Sequence, residues 1–128
     1  MARGHDLHKA RLEALSRLQK ELARTAKFRC EWCSSKDALS LHDTAPDQDP
    51  VSDALLFLCE RCRALASDDP MMDPRALRAC CDALWSEREV VKNELARLLA
   101  RSGERWAREA VEAAWLDEEL KARLLGAD

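Results

Sequence analysis

The sequence contains six cysteines and three histidines, the side chains best suited to hold a metal ion or act as nucleophiles. Four of the cysteines form two C-x-x-C pairs, Cys30-Glu31-Trp32-Cys33 and Cys59-Glu60-Arg61-Cys62, separated by residues 34–58. A tight turn after the first thiolate of such a pair lets both sulfurs face one ion, and two pairs complete a tetrahedron. That is the closed geometry of a structural zinc site, with protein sulfur in every position and no room for a catalytic water. The spacing therefore predicts one structural Zn2+ held by Cys30, Cys33, Cys59 and Cys62. Four thiolates also suit iron, so the spacing argues for a metal more strongly than for its identity. A redox-active dithiol is disfavoured, because the strand–helix–strand pattern around such motifs is missing.

Cys80 and Cys81 are neighbours on an expected helix, where successive side chains diverge by about 100°. Both cannot reach one ion with good geometry, and buried small hydrophobes are the better reading. His5 and His8 fall at the start of the first helix and are expected in solvent. His42 lies between the cysteine pairs, after Leu39 and Leu41 and before Asp43. Arg24, Lys27, Arg29, Arg61 and Arg63 lie near the pairs and suit either phosphate contact or compensation of the thiolate charge. Compensation is favoured, since Glu31, Asp37, Glu60 and an acidic loop dilute the positive charge. Trp32, inside the first pair, is expected to cap the site against water or to lie exposed as a stacking platform. Trp32, His42, Arg61 and Arg63 form the candidate binding surface. Trp85, Trp106 and Trp115 are expected in the core, where each can bury more area than a leucine. The loop from Asp43 to Asp53 lacks the glycine and terminal glutamate of a calcium loop and reads as a solvated turn.

The elements that must position these groups are mostly helical. Abundant Ala, Leu, Glu and Arg, with only three glycines and four prolines, favour helix. Residues 1–27 form an amphipathic helix with Leu12, Leu15, Leu18 and Leu22 on one stripe. Residues 28–66 form the zinc ribbon, with strands at Ala38–His42 and Leu55–Leu58; such a hairpin is marginal in water without a staple. Residues 67–128 form a helical region packing with the rest as one domain. There, Asp73-Pro74 reads as an N-cap and first-turn proline, and Ser86–Glu89 as a capping box. Ser102-Gly103 reads as a break that caps the next helix, and Asp117 as the cap of a last helix stopped by Gly126.

At 128 residues, 47% apolar and 35% charged, the chain suits one folded domain. A net charge of −3 and a pI near 5.7 weigh mildly against nucleic acid as the main partner. The sequence has no apolar run long enough to span a membrane and no signal-peptide core, so a cytoplasmic location with reduced thiols is expected.

Two family resemblances follow from these motifs. C-x-x-C, then Leu39-Ser40-Leu41-His42-Asp43 with Pro46, then Leu-x-x-C-x-x-C resembles the zinc-bearing class of HNH endonucleases. That resemblance implies a general-base histidine, an asparagine and a second metal ligand. Here His42 matches only the first of the paired residues. Asp43 falls at the base, Ala54 or a neighbour at the asparagine, and Arg63 after the last cysteine. The scaffold is expected without the nuclease, since nothing would activate water. From Leu22 to Leu125 the chain is also similar to the N-terminal half of the longer PhnA-type proteins of bacteria. That similarity rests on Cys30-Glu-Trp-Cys33, Leu58-Cys59-Glu-Arg-Cys62-Arg63, Met72-Asp73-Pro74, Leu84-Trp85-Ser86-Glu87 and Trp115-Leu116-Asp117-Glu118-Glu119. Members of that family usually continue into a small C-terminal β-domain. The resemblance implies a zinc ribbon with a helical partner and no established catalytic activity.

The expected protein is thus mainly α with a small β-hairpin zinc ribbon, acting without catalysis in protein–protein interaction or regulation. Helix-mediated homodimerisation fits the two apolar helical faces. The alternatives are nucleic-acid binding and a degenerate HNH-type nuclease.

Overall fold

The computed structural model describes residues 2–67 and 73–126, with side chains from Asp6 onward; His5's side chain and Met72 lie outside the described residues. The chain is mainly helical with one small antiparallel sheet, as its composition predicts. Among the described residues, no helix is long and apolar enough to cross a membrane.

Helix α1 spans Ala2–Thr25. Its leucine stripe packs only toward the C-terminal end: Leu22 and Ala23 are buried, Leu15 and Leu18 partly so, and Leu7 and Leu12 lie in solvent. The helix stops where Lys27 and Phe28 adopt positive φ (56° and 58°). That left-handed turn is unfavourable for residues with a Cβ. It also satisfies carbonyls that the helix end leaves open, with the Phe28 N–H donating to Ala23 O at 2.8 Å.

Strands β1 (Ser40–Asp43) and β2 (Leu55–Leu58) pair antiparallel, with His42 opposite Leu56. The first strand begins two residues later than the pattern suggests, because Ala38 turns to φ 47° and its carbonyl accepts from Arg63. All four residues of β2 are buried. The pleat sends Leu55 and Phe57 toward α1, while Leu56 and Leu58 join the helical body. Burial on both faces explains why the strand reads as an unbroken apolar run.

Helix α2 (Glu60–Ala66) follows the hairpin directly. Helix α3 (Pro74–Arg78) is capped as expected, the Asp73 carboxylate accepting from the Arg75 N–H at 2.9 Å. A 3-10 turn over Cys81–Trp85 leads to α4 (Glu89–Arg101), α5 (Arg105–Ala113) and α6 (Glu118–Leu125). Asp117 caps α6 through the Leu120 N–H. Helix α4 is the spine of the body, burying Val91, Leu95, Ala96, Leu98 and Leu99.

Two local expectations are corrected. Ser86 does not cap α4; it accepts from the Arg88 N–H, and the helix starts after an extended Arg88. The reason is tertiary: an ion pair with Glu31 draws Arg88 out of the helix. Gly103 breaks the chain at φ 81°, but the position preceding α5 is Glu104, and Ser102 serves it only by accepting its N–H.

Candidate metal centre

The first cysteine pair lies in the loop after α1, where Ser34 adopts φ 67° and the chain doubles back. The Cys33 N–H points at Cys30 Sγ (3.5 Å), and the Cys30 N–H donates to Ser35 O at 2.8 Å. The second pair differs from the tight turn that its spacing suggests. Cys59 immediately follows β2, and Cys62 lies in the first turn of α2. Strand end and helix start thus replace a second free-standing turn.

One ligand atom from each of Cys30, Cys33, Cys59 and Cys62 lies within 4.8 Å of all the others. Zinc–sulfur bonds of about 2.3 Å arranged tetrahedrally put the sulfurs about 3.8 Å apart. The Cys33–Cys59 separation of 3.6 Å is close to that edge. Cys30, Cys59 and Cys62 are buried and Cys33 is half-buried. The donor set and spacing therefore fit one tetrahedral, thiolate-preferring cation with every position filled by protein.

Burial and mutual contact favour the neutral form of these thiols. The contact with Cys62, then burial, pushes the Cys30 thiol well above its ordinary value. Cys30 pulls Cys62 down, but the Cys80 contact and burial outweigh it and leave that thiol raised. Cys33 is raised by its burial. A divalent cation would replace the protons these groups otherwise keep. Arg61 stands exposed beside Cys33, and the hydrogen bond to that sulfur holds its guanidinium more firmly charged.

Glu31 fastens the first pair to the sheet. Its backbone N–H donates to Phe57 O at 2.9 Å, while its side chain accepts from the Phe57 N–H at 2.8 Å. Arg88 then clamps the carboxylate, Nε to Oε2 at 2.8 Å and Nη2 to Oε1 at 3.1 Å. The same guanidinium donates to Ser52 O at 3.0 Å and to Leu55 O.

The other candidate residues fall in different places. Trp32 is only 2% exposed and donates its indole N–H to Val91 O at 3.2 Å. Buried there, it is no stacking platform. Arg63 is committed to the fold, with Nη1 donating to Ala38 O (2.7 Å) and Leu58 O (2.9 Å). His42 stands outside the thiol cluster, on a hollow of about 250 Å³ lined also by Trp32, Asp43, Glu94, Arg97 and Arg101. Burial lowers its pKa, with Glu94 and Asp43 pulling the other way. Asp43, at the general-base position of the nuclease pattern, accepts from Arg11 (2.5 Å) and from the Ala45 N–H (2.9 Å). Of the four candidate surface residues, only Arg61 is exposed.

Two of the remaining tryptophans reverse the expectation, while Trp106 packs against the core. Trp85 and Trp115 are exposed, while Trp106 is half-buried under Arg78, 5.2 Å from its ring centre. Cys80 is fully buried, as expected, but its sulfur lies 3.8 Å from Cys62 Sγ. Neither that contact nor the Glu31–Arg88 clamp has a local sequence signal, since each joins residues far apart in the chain.

No protein-family model matches this chain, and no curated protein or solved structure matches it either.

Proposed function

We propose that this chain is a non-catalytic zinc-binding module of PhnA type that acts by contact with another protein. The observation that carries the reading is the closed cluster of Cys30, Cys33, Cys59 and Cys62. Such a site supplies structure: it ties the loop after α1, the end of β2 and the start of α2 to one ion. Zinc is the cation proposed, because four thiolates in a closed tetrahedron suit its lack of redox chemistry and of geometric preference. The absence of catalysis is supported at the nuclease-like positions, where Asp43 is engaged by Arg11 and the Ala45 N–H. Those partners give a structural role to a carboxylate that stands where the pattern needs a histidine base. Nucleic-acid binding is the weaker alternative, since Trp32 is buried and Arg63 spent on backbone carbonyls. A cytoplasmic setting, where thiols stay reduced, accompanies this reading.

The test is direct. The purified chain should carry one zinc per molecule by elemental analysis and should leave supercoiled DNA intact with added Mg2+ or Mn2+. Iron in the site, or nicking that His42→Ala abolishes, would overturn it.

A further inference from the structure

Trp85 ends the 3-10 turn before α4, and Trp115 lies in the loop between α5 and α6. They are 57% and 81% exposed, yet they touch, with ring centres 6.3 Å apart and planes inclined at 69°. Their chain neighbours Leu84, Ala114 and Leu116 are buried, so the backbone beneath is seated in the core while the indoles remain outside. Helix α4 holds the backbone of the second tryptophan, since Lys92 donates to Trp115 O at 3.2 Å and pairs with Glu89 at 3.0 Å. Two ring planes meeting at this angle enclose a corner where one cation can lie against both π faces.

The exposed charged residues closest in sequence to the two tryptophans are largely of one sign. Asp82, Glu87 and Glu89 flank Trp85 in the chain; Glu112, Asp117, Glu118 and Glu119 flank Trp115. Glu89 keeps 68% of its side chain in solvent. The nearby basic groups already have partners: Arg88 holds Glu31, Lys92 holds Glu89 and Trp115 O, and Lys121 donates to Glu112 O. A nucleic acid stacking here would bring phosphate onto carboxylates, where Lys and Arg are needed. A second copy of the same patch would set acid against acid. Positive charge is what both the ring faces and the carboxylates attract.

We infer that the Trp85–Trp115 corner is a docking site for a basic segment of another protein, receiving an arginine or lysine side chain against the indoles. This rests on the reading of the chain as a protein-interaction module and gives the partner's chemistry.

The zinc-loaded full chain is titrated with an acetylated tetra-arginine amide while the indole N–H resonances are followed by NMR. The resonances of Trp85 and Trp115 should move and that of buried Trp32 should not. Trp115→Ala, with its zinc content and circular dichroism checked, should weaken binding roughly five- to tenfold. Glu89→Gln should weaken it less, and a tetra-glutamate peptide should have no effect. Unmoved resonances, or equal affinity in Trp85→Ala and Trp115→Ala, would overturn the docking site alone. The interaction-module reading would then stand or fall separately, on capture of a protein partner that survives nuclease treatment. Movement with oligothymidine in place of the arginine peptide would overturn both. Movement with the chain's own concentration would overturn the basic partner in favour of self-association.

Discussion

Between Lys27 and Cys62 the chain buries little beyond the strand Leu55–Leu58, its cysteines and Trp32. From Ala76 to Leu120 it buries Leu77, Leu84, Val91, Leu95, Leu98, Leu99 and Val111 around one helix. The helical body has an apolar stripe on most of its elements and can hold together by burial. The ribbon has polar loops, a two-stranded sheet and backbone turned left-handed at Ser34 and Ala38, and it relies on point attachments. Those are the four-thiol cluster, the Glu31–Arg88 clamp and the Trp32 bond to α4. Where apolar area is scarce, a few strong specific contacts must do what many weak ones do elsewhere.

The contrast can be broken most forcefully at the proposed zinc site. Cys59→Ser, or a strong chelator, should expose the Asp43–Asp53 loop to protease, since structural zinc binding contributes on the order of 10 kcal/mol to small metal-coupled units. Helical circular dichroism should fall far less than ribbon protection. Equal loss of both would mean that the body depends on the ion as much as the ribbon does. Zinc affinity should also rise with pH, because Cys30 and Cys62 hold their protons more tightly than ordinary thiols and must release them on binding. A competition titration at two pH values checks the sign.

The body is probed by Leu95→Ala, which empties a fully buried position and should cost about 3 kcal/mol in urea unfolding. The zinc content should not change. Arg88→Ala tests the joint between the two regions. Removing it leaves the Glu31 carboxylate and the Ser52 and Leu55 carbonyls without their shared donor, for a loss of about 2 kcal/mol. Its signature is faster amide exchange at Phe57, whose N–H donates to Glu31.

The smallest effect belongs to His42. Burial lowers its pKa below 6.5, so the unfolded chain takes up this proton more readily than the folded one. Stability should therefore decline as pH falls from about 6.5 toward the folded value. His42→Gln should flatten that part of the curve when zinc is in excess; an unchanged slope would assign it to other groups.

Several features were legible because their causes are local. A C-x-x-C pair needs only one turn of chain to aim two sulfurs alike, so both pairs could be read from spacing. The caps at Asp73 and Asp117 act on N–H groups two and three residues away, and both form. The capping box at Ser86 failed because Arg88 answers to Glu31, 57 residues distant in the chain. The stripe on α1 predicted a helix correctly but not that its first turns would leave Leu7 and Leu12 in solvent.

The tryptophans mark the boundary between the two kinds of information most clearly. A tryptophan's size predicts burial, yet Trp32 beside two thiols is buried while Trp85 and Trp115 among helices are not. Composition and spacing alone determined a helical chain, two short strands and two C-x-x-C pairs, since each depends on neighbours within a few residues. Tertiary structure alone decided which indoles face water, that Cys80 sits against Cys62, and that Arg88 clamps Glu31. Those outcomes depend on which surfaces meet when distant segments pack, and a residue's type does not specify its neighbour.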